Sequence, residues 1–270
     1  MEQIPRKKNP HQIPSRKQQK YRRKKQQRQR LIVLLCLTFF LGFFSGVFVG
    51  IKNSQAINFI MAPASAPPSK EQAPDKNLPW NLKLVNAGNP LPEDFAPEKL
   101  AEVDNGYSAD SRIEEATKKM IADAREEDVR IIVLSAFRDY EYQTDLYNKK
   151  VQKLQSEKGY SVKKAREEAA TVVASPGTSE HQLGLALDLV DARHVKLDES
   201  QEQTKAYQWL KEHCDEYGFI VRYPNNKTEL TGVIYEPWHF RYVGEEAARE
   251  IMDNGLCLEE YLKDYYKQGN

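Results

Sequence analysis

Two short stretches of this chain place histidine and carboxylate side chains at spacings that suit a bound metal ion. The first is Ser179-Glu180-His181-Gln182-Leu183-Gly184-Leu185-Ala186-Leu187-Asp188, and the second is Glu236-Pro237-Trp238-His239-Phe240-Arg241. Read as a strand from Leu183 to Leu189, the first stretch turns Leu185, Leu187 and Leu189 to one side and Gly184, Ala186 and Asp188 to the other. One side is then apolar. The other carries a carboxylate beside small residues, which leave room for an ion and a substrate. His181, Asp188 and His239 would supply three ligands. Glu236 is near enough to His239 to take a proton from a water without binding the ion itself. Zinc enzymes commonly use three N/O ligands and keep a fourth position open, and zinc lowers the pKa of a bound water to about 7. Pro237 biases Glu236 away from helical backbone, so this is not a helical His-Glu-x-x-His site. Each fragment alone also fits a plainer reading: Asp188 could pair with a nearby base, and Glu-x-x-His arises by chance. Of the other histidines, His213 stands at helical spacing from Trp209 and reads as packing or solvated. His194 reads as an exposed loop residue.

The elements that must position these residues are legible from periodicity. Ser111 and Glu114 resemble a capping box, after which Ile113, Ala116, Met120 and Ala124 recur at helical spacing. Val129 to Leu134 reads as a buried strand, and Tyr140 to about Leu154 returns to a helical period. Ser161 is placed to cap a helix with Val162, Ala165, Ala169 and Val172 on one face. A helix over about 202–216, strands over 218–222 and 238–243, and two C-terminal helices complete the pass. Helices and strands mixed without regular βαβ alternation give an α+β fold.

The chain as a whole has 40 Lys and Arg against 39 Asp and Glu, but the two signs are segregated. Residues 1–30 hold twelve basic residues and one acid, whereas the remaining 240 hold 28 and 38, about −10. An acidic body is a poor surface for phosphate backbones, which excludes nucleic acid as the expected partner. Residues 31–51 contain no charge, and twenty-one residues in a helix cover a bilayer core of about 30 Å. The expected layout is a basic cytoplasmic tail over 1–30 (which holds His11), a single transmembrane anchor over 31–51, and the remainder outside the membrane. The apolar run is longer than a cleaved signal peptide normally carries. Residues 52–77, rich in Ala, Pro and Ser, read as a flexible stalk, and 78–270 as the globular domain. Of three cysteines, Cys36 falls in the span. Cys214 lies on an apolar helical stripe with Tyr207, Leu210 and Tyr217, and reads as a small buried hydrophobe rather than half of a bridge to Cys257.

Set in order, these segments resemble the VanY-like D-alanyl-D-alanine carboxypeptidases. Ser135-Ala136-Phe137-Arg138-Asp139-Tyr140-Glu141-Tyr142-Gln143 is similar to that family's Ser-x-x-Arg-x-x-x-x-Gln segment. Ser179-x-His181-x-x-Gly184-x-Ala186-x-Asp188 and Glu236-x-Trp238-His239 resemble its two metal motifs. Tyr217 to Pro224 and Arg241 to Gly244 match as well, so the resemblance spans roughly 80–265. It implies a small, mostly antiparallel sheet with flanking helices, of the hedgehog/DD-peptidase type. It also implies cleavage of the terminal D-alanine from peptidoglycan stem peptides. Carried over by position, His181, Asp188 and His239 would bind Zn2+ and Glu236 would be the catalytic base. Arg138 would hold or polarise the substrate, with Gln143 and Ser179 in the substrate site. Arg138 also has a bland alternative, a surface ion pair with Asp139 or Glu141. Relatives of this type act on either the D-Ala–D-Ala bond or the L-Lys–D-Ala bond, and the residues leave that choice open. A non-catalytic wall-binding domain of the same fold has no need of Glu236, which argues against it.

Overall fold

The computed structural model describes residues 78–266. The basic tail, the apolar span and the stalk lie outside the described residues. Among the described ones, no helix is long and apolar enough to cross a membrane.

A hairpin of β1 (Leu100–Asp104) and β2 (Tyr107–Asp110) precedes the main sheet. That sheet has four antiparallel strands in the order β3-β4-β6-β5: β3 Ile131–Ser135, β4 Ala186–Asp191, β5 Phe219–Tyr223 and β6 Glu236–Tyr242. Among the described residues, five helices of nine residues or more flank it: α1 (Glu114–Glu126), α2 (Tyr140–Lys158), α3 (Val162–Ala170), α4 (Lys205–His213) and α5 (Glu245–Asn254). This is the α+β architecture that the mixed pattern called for, with the small antiparallel sheets that the family resemblance implied.

Side-chain alternation gives each sheet face its own task. Leu187, Leu189, Phe219, Val221 and Phe240 join Met120 and Ala124 of α1 and Leu210 of α4 in the main core. Burying each of the larger side chains contributes about 1.5–3 kcal/mol. Ile220, on the opposite face of β5, packs with Ala248 and Ile251 of α5 in a second cluster. Asp188, His239 and Arg241 alternate with core residues of β4 and β6, so they share this second face. Both faces are covered, and β4 is buried along its whole length.

Several boundaries differ from the sequence reading for identifiable reasons. Residues 179–184 form consecutive tight turns, with Gln182 N–H donating to Ser179 O, Leu183 to Glu180 O and Gly184 to His181 O. The strand therefore starts at Ala186 rather than Leu183. Gly184 sits at φ +75°, and a Cβ there would come 2.7 Å from Pro97 Cγ. Its small size admits the chain segment that precedes β1, not an ion. The cap before α1 is Asp110, whose carboxylate accepts from Arg112 N–H, and a 3-10 turn over Ser111–Ile113 replaces the expected capping box. The helix expected over 202–216 is α4 between two 3-10 segments, entered through Thr204, whose Oγ1 accepts from Tyr207 N–H. Ser161 caps α3 as expected. Only its alanine stripe, Ala165 and Ala169, packs against Val151 of α2, leaving Val162 and Val172 exposed. Cys214 and Cys257 are both buried, and neither forms a disulfide.

Candidate metal centre

Asp188 on β4 and His239 on β6 are direct cross-strand partners, which sets their side chains together on one face. His181 arrives from the tight turns before β4, and the three ligand groups lie within 4.8 Å of one another. Asp188 Oδ1 is 3.3 Å from His181 Nε2 and 3.3 Å from His239 Nδ1. The two rings meet edge to face, with centroids 4.9 Å apart.

Glu236 and His239 are three residues apart, which on a regular strand would put them on opposite faces. The β6 strand is irregular at that point. Val221 pairs with Phe240 and Tyr223 with Glu236, so two steps along β5 oppose four along β6. The excess forms a bulge containing Pro237, which has no N–H to give to a ladder. It brings Glu236 Oε2 to 3.7 Å from His239 Nδ1.

The donor atoms fit a cation. His181 Nδ1 lies 2.7 Å from the Ala136 carbonyl, which can only accept, so that nitrogen carries the proton and Nε2 offers a lone pair. His181 Nε2 and Asp188 Oδ1 are buried without a hydrogen-bond partner. Leaving such atoms bare is costly, and a metal ion bound between them would satisfy both.

The electrostatics divide the two histidines. Burial, assisted by the Arg138 charge, lowers His181 to about 4, so its ring is neutral. Burial alone would lower His239 too, but the Asp188 and Glu180 carboxylates facing its two ring nitrogens, with the Glu236 charge, outweigh it and raise the group to about 9. Asp188 is held well below the usual carboxylate range because both histidines outweigh its desolvation. Glu236 is pushed up to about 7, first by burial and then by Asp188 and Glu180, against the opposing charges of His239 and Arg138.

Arg138 follows β3, its own N–H donating to His181 O at 3.3 Å. Its guanidinium lies in the field of Asp188 and Glu236, and Nε is buried without a partner. Arg138 makes no ion pair with Asp139 or Glu141, the charges acting on it being chiefly Asp188 and Glu236, and Asp139 Oδ1 accepts from Tyr142 N–H at 2.7 Å to cap α2. Ser179 is buried beside the centre, with Oγ accepting from His181 N–H at 3.3 Å. Gln143 Nε2 donates to Ala174 O at 2.7 Å, while its Oε1 is buried and unpartnered. It therefore fixes the segment leading to the His181 turn.

Sequence reading passed over Glu180. It is fully buried, with Oε1 accepting from Arg222 Nε at 2.8 Å and from Arg241 Nη1 at 2.7 Å, and Oε2 3.5 Å from His239 Nε2. The available signal was a carboxylate adjoining a candidate ligand, together with arginines in two strands that otherwise read as buried.

A buried His-Asp-His centre beside a carboxylate, on an antiparallel sheet flanked by helices, defines a metallopeptidase-like class. A family model described as VanY, D-alanyl-D-alanine carboxypeptidase, matches residues 107–245, and the chain belongs to this family. A D-alanyl-D-alanine carboxypeptidase of Enterococcus faecalis is 46% identical over 195 residues, covering 72% of this chain and 69% of the relative. Among solved structures, VanYB in complex with D-alanine-D-alanine matches with a TM-score of 0.63 and 44% identity, covering 69% of this chain and 99% of that one. A mutant of the D,D-pentapeptidase VanY from a VanB-type resistance cassette, in complex with Zn(II), matches with a TM-score of 0.61 and 44% identity, covering 68% and 99%.

Proposed function

We propose that this domain is a zinc-dependent D-alanyl-D-alanine carboxypeptidase that removes the terminal D-alanine from peptidoglycan stem peptides. The observation that carries the reading is the convergence of His181 Nε2, Asp188 Oδ1 and His239 Nδ1, with Glu236 brought beside them by the β6 bulge. Family membership and the D-alanine-D-alanine and Zn(II) complexes of two neighbours support it.

In this reading His181, Asp188 and His239 hold zinc. Zinc supplies Lewis acidity, acidifying a water and polarising the scissile carbonyl. Glu236 takes the proton of the attacking water on its carboxylate and passes it to the departing D-alanine amine. A base poised near 7 suits both halves of that transfer, since it can accept and then release a proton. Arg138 presents a planar guanidinium to negative charge near the scissile bond, either the developing oxyanion or the terminal carboxylate. Ser179 and Gln143 complete the substrate side, Gln143 through its free Oε1.

The test uses full-length protein with two peptides, a stem pentapeptide ending in D-Ala-D-Ala and a tetrapeptide ending in L-Lys–D-Ala. Released D-alanine is followed by mass spectrometry. Release from the pentapeptide is expected to dominate. Release from the tetrapeptide alone would make the enzyme an L,D-carboxypeptidase, and release from neither would remove the activity.

We further propose that residues 31–51 anchor the enzyme in the cell membrane with 1–30 in the cytoplasm and the catalytic domain outside. The charge-free apolar run and the basic flank support this topology. Protease added to wall-stripped cells should then degrade the domain and spare a tag fused before Met1, and the reverse pattern would overturn the orientation.

A further inference from the structure

Glu180 is a charge in a place where charges are costly, and it is doubly paired. Arg222 reaches it from β5 and Arg241 from β6, and all three side chains are fully buried. Each arginine is also tied outward. Arg222 grips Glu259 with both Nη atoms, at 2.9 and 2.7 Å, and Arg241 Nη2 donates to Asn81 O and Lys83 O at 2.9 Å. Both arginine contacts land on Oε1. That leaves Oε2 facing His239 Nε2 at 3.5 Å, and neither of these two atoms has another hydrogen-bond partner.

We propose that Glu180 is a positioning residue for His239: Arg222 and Arg241 hold one of its oxygens, and the other turns the His239 ring so that Nε2 carries the proton and Nδ1 faces the metal site. The proposal rests on the zinc reading given above and adds a residue to it. A ligating imidazole normally donates its second N–H to a carboxylate or carbonyl, which fixes tautomer and orientation. His181 does this with the Ala136 carbonyl. Glu180 Oε2 lies 3.5 Å from His239 Nε2, whereas the contacts of Asp188 and Glu236 with this ring are at Nδ1. The clamp extends to both ends of the domain, because Asn81 and Lys83 precede the family match at 107–245 and Glu259 follows it. The His239 ring is thus held by segments that the matched core does not contain.

Glu180→Gln offers a sharp contrast. Its amide oxygen would stay with the two arginines, which only donate, so its NH2 would face His239 and favour the wrong tautomer. Glu259→Gln weakens the same buried network at Arg222 without touching His239. Zinc affinity of the full-length wild type and both variants is measured by competition with a chromogenic chelator, alongside melting temperature. E180Q is expected to lose about 10–100-fold in zinc affinity, the range for such outer partners, while E259Q stays within about twofold although both melt earlier. Equal zinc affinities in E180Q and wild type, or equal losses in both variants, would overturn the proposal. A wild type that binds no zinc would overturn the zinc reading itself, which separates the two failures. If E180Q does not fold, the wild type decides alone. In 15N-histidine NMR of the cadmium-113-loaded protein, His239 should show metal coupling at Nδ1 and the proton at Nε2, and coupling at Nε2 would overturn the proposal.

Discussion

Two clusters in this domain join histidine to aspartate, and they behave in opposite ways. In the first, His181, Asp188 and His239 are buried, with Asp188 Oδ1 facing a ring nitrogen of each histidine at 3.3 Å and no ordinary hydrogen bond to satisfy it. In the second, His194, Asp198 and Ser200 form a local cluster near the surface that superficially suggests a nucleophile and its base. Ser200 Oγ donates to Asp198, so toward His194, 2.6 Å away, it can only accept. That direction is the reverse of an activated serine, whose hydroxyl must donate to the imidazole. The Asp198 side chain is about half exposed, and each of the three groups there has a polar neighbour. Residue types in proximity do not make a site. What distinguishes the first cluster is desolvated lone pairs converging on one point, an arrangement unfavourable until a cation arrives.

The contrast is broken most severely by emptying the first cluster. Replacing His181, Asp188 and His239 together by Ala should abolish stoichiometric zinc and all turnover, read by elemental analysis and D-alanine release. Unchanged zinc content would move the metal elsewhere. Next comes Glu236→Gln, which keeps size and hydrogen bonding but removes the base. Zinc should remain while kcat falls by at least about a hundredfold, the low end for acid–base catalysis.

A pH series sharpens the same comparison. In the metal-free protein His239 holds its proton up to about 9, and zinc must displace that proton. Apparent zinc affinity should therefore rise by about tenfold per pH unit up to about 9, and a flat profile between pH 6 and 8 would contradict the His239 assignment. The sign reverses for stability without metal. A raised histidine stabilises fully below its ordinary value of about 6.5, and that contribution is lost as pH rises through about 9.

Arg138→Ala should cost about tenfold or more in kcat/KM, as expected for a charge-assisted contact of about 1.5–3 kcal/mol, with Arg138→Lys intermediate. Amidated peptides locate the contact. If Arg138 reads the terminal carboxylate, amidation penalises the wild type and not the Ala variant, whereas equal penalties assign it to the scissile carbonyl. Smallest of all, His194→Ala should leave zinc content and kcat/KM unchanged within about twofold. A large loss there would erase the distinction between the two clusters.

Much of this was open to inspection in the chain itself, because a strand's two-residue period depends only on local backbone geometry. Leu187, Asp188 and Leu189 declare which way each points before any partner is known, and the same holds for His239 between Trp238 and Phe240. The shared face of Asp188 and His239 follows from that period, and the α+β mixture from the order of elements, whereas His181 stands in the turns before β4, where that period does not run. Other features were decided by contacts that no local pattern contains. Glu236 shares a face with His239 only because the β6 ladder slips against β5. Gly184 is a glycine because Pro97 crosses it, not because an ion needs space. Glu180 acquires its place from Arg222 and Arg241, 42 and 61 residues further along, and from His239 on β6. Its sequence neighbours describe a polar residue in a turn. Only folding removes the water around it, and the loss of that water makes its two arginine partners and the orientation of its free oxygen matter.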